Sequence, residues 1–392
     1  MSDTMAGIPA PQPAGEATGD AAAGNPAARE RVERLAARHG LNLLGIAPAE
    51  PLLEARDRMQ QSVREGRMAR MDWMGGDRPE IATDPRRLDP TARSVIVVAA
   101  PYAGAARASW DAGAGTLPPL LREALAGEPA TPTGLIARYA LGTDYHLALR
   151  DRLDGLAEEL RRDGIPAGAT SFVDDRPLAE RAFAARAGLG WIGKNTNLLT
   201  HHPAGSWVFL GAILSSAELP VDEPIRSSCG SCRRCIDGCP TGAIIGPQTI
   251  DANRCISYLT IEHPGELATD AARAIGAWIF GCDVCQEVCP VNAEADDPGP
   301  LRVPLLPLGE RLLPLGARAF QRAFGQSALR RAGRHRLLRN VIIALSNALD
   351  AGDLPPGTVT GVERFLEAAA RDSRDEVRAH ASRALVALHA GT

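Results

Sequence analysis

Residues 229–240 read CGSCRRCIDGCP, four cysteines in the pattern C-x2-C-x2-C-x3-C-P. The chain has 392 residues and eight cysteines, and all eight lie between Cys229 and Cys289. A second run, CDVCQEVCP at 282–290, supplies Cys282, Cys285 and Cys289, and Cys255 stands alone between the runs. Thiols so clustered are neither scattered core residues nor a disulfide framework, which belongs to small secreted chains. Structural zinc, which also takes tetrahedral thiolates, is one reading. The other is iron–sulfur, because the first run is the bacterial ferredoxin pattern, in which the fourth cysteine ligates the other cluster. Under that rule Cys229, Cys232, Cys235 and Cys289 hold one [4Fe–4S] cluster and Cys239, Cys255, Cys282 and Cys285 a second. Eight thiols then fill two sites with none left over, and the stretch carries electrons.

The rest of the chain must house what those electrons do. Its length allows two or three domains, and 45% hydrophobic with 23% charged residues is an ordinary globular composition. A net charge of −4 gives no global attraction to nucleic acid, so any such binding needs a local basic patch. No apolar run is long enough for a membrane span. Residues 1–28, rich in Ala, Pro and Gly, have neither a basic start nor an apolar segment, so they read as a disordered tail rather than a secretory signal. A cytoplasmic location is expected.

Between 29 and 215 helical and apolar β-branched segments alternate. RERVERLAARHG closes as a helix at Gly40, LNLLGIA follows as a strand, and Pro51 opens a helix that ends at Gly66. SVIVVAA (94–100) is a buried strand, an amphipathic helix runs from His146, and TSFV and SWVFLGAIL are further strands. An α/β domain is expected here, followed by a ferredoxin-like domain at 216–300. Residues 301–392 turn helical. Val377, Ala381, Ala384, Leu385 and Leu388 share one face, and Ser373 with Glu376 suggests a capping box. The pattern suggests HEAT-like repeats, with a plain helical cap as the alternative.

Several residues stand out for chemistry. Asp144, before a helix, reads as an N-cap or as a general acid, and the two roles are compatible. Gly188, Gly190 and Gly193 form G-x-G-x-x-G, but they follow a helix and precede a strand, the reverse of a dinucleotide fingerprint. A helix C-cap and turn is one reading; a loop bringing Lys194 and Asn195 to a cofactor is the other. Asp144-Tyr145-His146 begins like a cobalamin D-x-H-x-x-G signature, but Leu149 stands at its glycine, so no motif establishes cobalamin. Arg330, Arg331, Arg334, Arg336 and Arg339 make a basic stripe, either a solvated helix face or a phosphate footprint.

Taken together, RYALGTDYH (138–146), VDDRPLAERAFAARAGLGWIGKNTNLL (173–199), the eight-cysteine spacing, CISYLTIEH (255–263) and LLRNVIIALSN (337–347) resemble the epoxyqueuosine reductase family, in order, from about residue 30 to 390. The resemblance implies an enzyme that reduces epoxyqueuosine to queuosine in tRNA anticodon loops with cobalamin and two [4Fe–4S] clusters, fed by an external low-potential electron donor. It implies an α/β cobalamin-binding domain, a ferredoxin-like domain and helical repeats that help hold tRNA. Asp144 then matches the family's proton donor, and a carboxyl held away from water near the cofactor is expected to have a raised pKa. Arg138, Asp174, Lys194, Asn195 and Ser257 fall in stretches that surround the cobalamin. VDDRP departs from a V-D-T-G-P form at Asp175 and Arg176, while Asp174 keeps its place. The competing readings are a corrinoid reductase of a small molecule and a non-catalytic electron-transfer subunit.

Overall fold

The computed structural model describes residues 26–103, 117–126, 132–295, 299–355 and 357–390. Most of the expected tail therefore lies outside the described residues. Its last three positions begin the first helix, Pro26–Arg38, where Ala28 is buried. Gly40 closes that helix with φ +70°, a conformation that favours glycine.

The apolar run at 94–101 becomes the strand Ser94–Pro101, central in a four-stranded sheet. Leu44–Pro48 flanks it on one side and Val208–Ser215 on the other, with the short strand Ser171–Phe172 beyond. Every pairing is antiparallel. The expected alternation of helices and strands is present, but it does not build the parallel sheet that such alternation usually signals. The two faces follow the period of two. Ile96 and Val98 turn to one face, where Ile46 and Ile213 meet Val32 and Leu35 of the first helix and Leu149, Leu153 and Leu156 of Tyr145–Arg162. Val95, Val97 and Ala99 turn to the other, against Phe183 and Ala184 of the helix Glu180–Arg186. Each such aliphatic side chain contributes about 1.5–3 kcal/mol relative to exposure, so both layers are firmly held. Pro51 precedes rather than opens its helix, which runs Leu53–Arg64 with Leu52 at the N-cap.

A second sheet joins distant parts of the chain. Thr133–Ile136 lies at its centre, parallel to Trp278–Phe280 and antiparallel to Leu301–Pro304. It draws one strand from each of the three expected domains. The core around it runs from Leu121 through Phe280 to Leu345 and Ala384. The C-terminal segment is helical, with long helices at Gly333–Asp350, Val359–Ala369 and Asp375–Ala390, and the last packs on both others. Val377, Ala381, Ala384 and Leu388 are buried as expected. The turn before that helix is fixed by Asp372, whose carboxylate accepts the Arg374 N–H at 3.0 Å, in place of the expected Ser373 cap. No helix among the described residues is long and apolar enough to cross a membrane.

Candidate metal centre and acid–base cluster

Each cysteine run folds as a loop leading into one short helical turn, Arg234–Asp237 in the first and Val284–Glu287 in the second, and the two turns pack together. The thiols sort by mutual electrostatic influence. Burial first, and then the neighbouring Cys229 and Cys289, push the Cys235 thiol up. Burial likewise raises Cys289, with Cys229 and Cys232 adding to it. On the other side, burial raises Cys255, helped by Cys239. Burial drives Cys282 up to about 12, with Cys255 and Cys239 contributing. Cys285 is raised by burial and then by Cys282, Cys255, Cys235 and Cys239, so it touches the influence of both sets. Cys235 and Cys289 thus feel Cys229, and Cys255 and Cys282 feel Cys239. Among the described residues no three His, Cys, Asp or Glu side chains converge as ligands of a single metal ion would. A four-iron cluster does not ask for that convergence, since each iron takes one thiolate at its own corner.

The residues expected around a cofactor are tied to these loops. The glycines at 188–193 are a helix end and a hairpin. Gly188 follows Glu180–Arg186 with φ +70°, and a Cβ at Gly190 would stand 2.1 Å from the Leu199 carbonyl oxygen. Trp191–Ile192 pairs with Leu198–Leu199, and the turn between them carries Lys194 and Asn195. Lys194 Nζ donates to the carbonyls of Gly230 (2.7 Å) and Cys232 (2.8 Å). Asn195 donates to the Cys285 carbonyl at 3.2 Å. One turn therefore straps both cysteine loops. Ser257 stands two residues after Cys255, and its side chain acts to lower that thiol against the burial that raises it.

Arg138 is buried and faces the second run. Its guanidinium donates to Asp283 (2.9 Å) and Glu287 (2.8 Å), its backbone N–H donates to the same Asp283 oxygen at 2.8 Å, and it lies over the Trp207 ring at 4.6 Å. Asp283 and Glu287 were not singled out from the sequence. The available signal was two acids inside a cysteine run, where an already anionic cluster makes them anomalous unless a cation is near. The basic stripe is mostly internal. Arg339 is fully buried and donates to the carbonyls of Leu259, His263 and Gly265, while Arg334 pairs with buried Asp372 at 2.5 Å. Arg336 donates to the Ala332 carbonyl. Only Arg330 and Arg331 of the five are exposed.

Asp144 caps a helix and pairs with a histidine. Its carboxylate accepts the His146 N–H at 3.1 Å at the start of Tyr145–Arg162, and His146 Nδ1 lies 2.7 Å from the same oxygen. Burial pushes this carboxyl up, but the hydrogen bond and charge of His146 outweigh it and hold the group below the usual carboxylate value. The expected raised pKa is therefore overturned: the histidine beside it, two residues along the same turn, favours the ionised form. The Tyr145 hydroxyl donates to Asp174 at 2.6 Å. Asp174 is exposed, in the left-handed region with φ +55°, and its N–H donates to Glu180, which burial and Asp174 push up to about 8. Of the expected cofactor contacts, only Asp174 shares the Asp144 cluster. From there the rings of Tyr145, Phe209 and Tyr102 stack in succession at 4.3 and 4.4 Å. The Tyr102 hydroxyl ends 3.5 Å from Gln286, next to Cys285.

Several known proteins similar to this chain share one name. Residues 228–292 match the family described as 4Fe-4S double cluster binding domain, and residues 83–175 match epoxyqueuosine reductase QueG, DUF1730. An epoxyqueuosine reductase of Xanthomonas campestris pv. campestris is 39% identical over 91% of this chain and 95% of its own. One of Pseudomonas aeruginosa is 45% identical over 56% of this chain and 62% of its own. Among solved structures, an epoxyqueuosine reductase with a tRNA-Tyr epoxyqueuosine-modified stem loop superposes with TM-score 0.72 at 28% identity, over 92% of this chain and 98% of that one. Another, from Bacillus subtilis and with its catalytic aspartate loop swung out of the active site, gives 0.69 at 26% identity, over 92% and 98%.

Proposed function

The chain belongs to the epoxyqueuosine reductase family, and we propose that it is an oxidoreductase that converts epoxyqueuosine to queuosine in the anticodon loop of tRNA. The observation that carries this reading is the short path between two kinds of chemistry. An acid–base cluster, Asp144, His146, Tyr145 and Asp174, connects through stacked Phe209 and Tyr102 to the Cys285 loop. Reduction of an epoxide to an alkene and water takes two electrons and two protons, so it needs both within reach of one substrate atom. The tRNA-bound relative supports the substrate.

The two crossed sets of thiols fit two [4Fe–4S] clusters: Cys229, Cys232, Cys235 and Cys289 would hold one, and Cys239, Cys255, Cys282 and Cys285 the other. Cobalamin would be held beside the aromatic stack, where the Tyr145 and Phe209 rings would offer apolar contact and exposed Asp174 a polar partner for its amide side chains. When bound, the clusters supply single electrons and the corrin a strongly reducing cobalt. The protein's own residues do the rest. Lys194, Asn195, Arg138 and Ser257 position the cysteine loops. Asp144 delivers a proton to the departing oxygen. Exposed Arg330 and Arg331, next to the loop whose Gln326 carbonyl accepts the Asp144 N–H at 2.6 Å, offer positive charge to tRNA phosphate.

The same reading assigns residues 29–215 to a cobalamin-binding domain, 216–300 to a ferredoxin-like domain and 301–392 to HEAT-like helical packing. It places the enzyme in the cytoplasm with a low-potential electron donor. The test is conversion of tRNA carrying epoxyqueuosine by the anaerobically reconstituted protein, read as loss of one oxygen from the modified nucleoside by mass spectrometry. Conversion that needs both cobalamin and tRNA is the expected result. Full cluster and cobalamin content with no conversion would overturn it in favour of a small-molecule reductase. Cluster content without cobalamin binding would leave an electron-transfer subunit.

A further inference from the structure

His146 occupies a position that the capping role of Asp144 does not require. A cap needs only the backbone N–H of His146, which Asp144 already accepts at 3.1 Å. The imidazole nevertheless folds back, so that Nδ1 lies 2.7 Å from that same oxygen. Its other nitrogen is buried without a hydrogen-bond partner and stands 3.9 Å from Asp174 Oδ2. Tyr145 fixes the ring from one side by stacking at 4.1 Å, and its hydroxyl donates to that Asp174 oxygen at 2.6 Å. One imidazole thus bridges an inner carboxylate, Asp144, and an outer one, Asp174, whose side chain is two-thirds exposed at 67%.

This geometry bears on a stoichiometric problem. The reaction proposed above consumes two protons per turnover, one to open the epoxide and one to release the oxygen as water. Asp144 holds at most one. With His146 at its side it rests as a carboxylate, so the proton must be stored on its partner.

We propose that His146 is the proton reservoir of the Asp144 acid: its imidazolium passes a proton through Nδ1 to the Asp144 carboxylate, which hands it to the substrate oxygen. The inference rests on the reading of Asp144 as the acid. Transfer from imidazolium to carboxylate alone is uphill. It is driven by the opening epoxide, whose alkoxide is far more basic than either group. In the first delivery the carbon–oxygen bond breaks, the oxygen gains a proton to become a hydroxyl, and His146 is left neutral. His146 then regains a proton at Nε2, passed from solvent by way of exposed Asp174, and reloads Asp144 through Nδ1. The second delivery lets the hydroxyl leave as water. The two electrons come from the external donor already proposed. His146 acts through Asp144, so it is a positioning and relay residue.

The charges that face the pair come from four parts of the fold. Tyr145 and Asp144 lie on its own helix, and Asp174, backed by Glu180, lies on the loop after Ser171–Phe172. Arg330 acts on Asp144, and Arg331, which is bound to Glu262, acts on Asp174 and Tyr145. Arg330 favours the ionised Asp144 carboxylate.

The test is His146→Asn beside Asp144→Asn, in enzyme loaded with both cofactors and reduced before mixing. His146→Asn keeps the backbone N–H for the cap and an amide N–H near Nδ1, but it stores no proton. Single-turnover conversion is expected to fall about a hundredfold with tRNA affinity unchanged. The pH profile of the rate is expected to differ between the parent and the variant. A second readout needs no turnover: in protein without cobalamin, the imidazole nitrogen resonances absent from His146→Asn should titrate differently once Asp144 is Asn. A parent-like rate and pH profile in His146→Asn, with Asp144→Asn inactive, would overturn the reservoir and leave the proposed function standing. No conversion by the parent itself would overturn the function instead.

Discussion

Removal of the Arg138 guanidinium tests whether the cysteine loops are held by buried charge. The Arg138 and Asp283 side chains are 7% and 2% exposed and 2.9 Å apart. Arg138→Met leaves Asp283 with the Arg138 backbone N–H at 2.8 Å but without the facing cation. Breaking a buried pair from one side costs about 3–5 kcal/mol, because the remaining charge stays desolvated. The retained N–H and the partial exposure of Glu287, 33%, place the expected loss near the lower end, about 3 kcal/mol. Glu287→Gln, which removes the wetter partner only, should cost below about 1 kcal/mol. The assay is anaerobic urea unfolding followed by tryptophan fluorescence, with iron counted in each variant. Arg138→Met should also lose iron from the cluster assigned to Cys282 and Cys285 before the other. A loss under about 1 kcal/mol for Arg138→Met, or an equal loss for Glu287→Gln, would refute the buried-pair reasoning.

The crossed ligands predict that Cys239→Ala depletes the cluster shared with Cys255, Cys282 and Cys285, and Cys289→Ala the one shared with Cys229, Cys232 and Cys235. Iron analysis and electron paramagnetic resonance of each variant would show the reverse if the loops were self-contained. Asp144→Asn should fold, because Asn caps about as well, yet convert epoxyqueuosine at least about a hundredfold more slowly; near-parent turnover would reduce Asp144 to a cap. Replacing Arg330 and Arg331 together with Ala should weaken tRNA binding and flatten its salt dependence by up to about two units of slope, whereas Arg334→Ala should act on stability through Asp372. Glu180 gives a pH signature. Its folded pKa, about 8, lies above the unfolded carboxyl value, so the folded state binds the extra proton and stability falls as pH rises between the two. Glu180→Gln should flatten that decline in denaturation measured from pH 5 to 9, and an unchanged slope would count against burial as its cause.

What the sequence determined was local. Cysteine spacing is a property of one short loop, so C-x2-C-x2-C-x3-C-P with its partner run was sufficient to suggest two crossed clusters. Apolar runs and helix ends are equally local, and Ser94–Pro101, Tyr145–Arg162 and the turn at Gly40 appear where expected. The tertiary structure decided everything that depends on which distant residue arrives. Alternating segments do not reveal strand direction, and the main sheet is antiparallel. Thr133–Ile136 meets strands more than a hundred residues away, a pairing set by a shared core rather than by its own four residues. Lys194 and Asn195 were legible as a loop near a cofactor, but only the fold showed them bonded to the carbonyls of Gly230, Cys232 and Cys285. The arginine stripe looked like surface because charge usually is; Arg339 is buried because unpaired carbonyls at a turn were there to receive it. Asp144 was found by motif, yet its ionisation was decided by a rotamer. The His146 ring turns back onto it, and a charge-assisted hydrogen bond of 2.7 Å outweighs the burial from which a raised pKa had been expected.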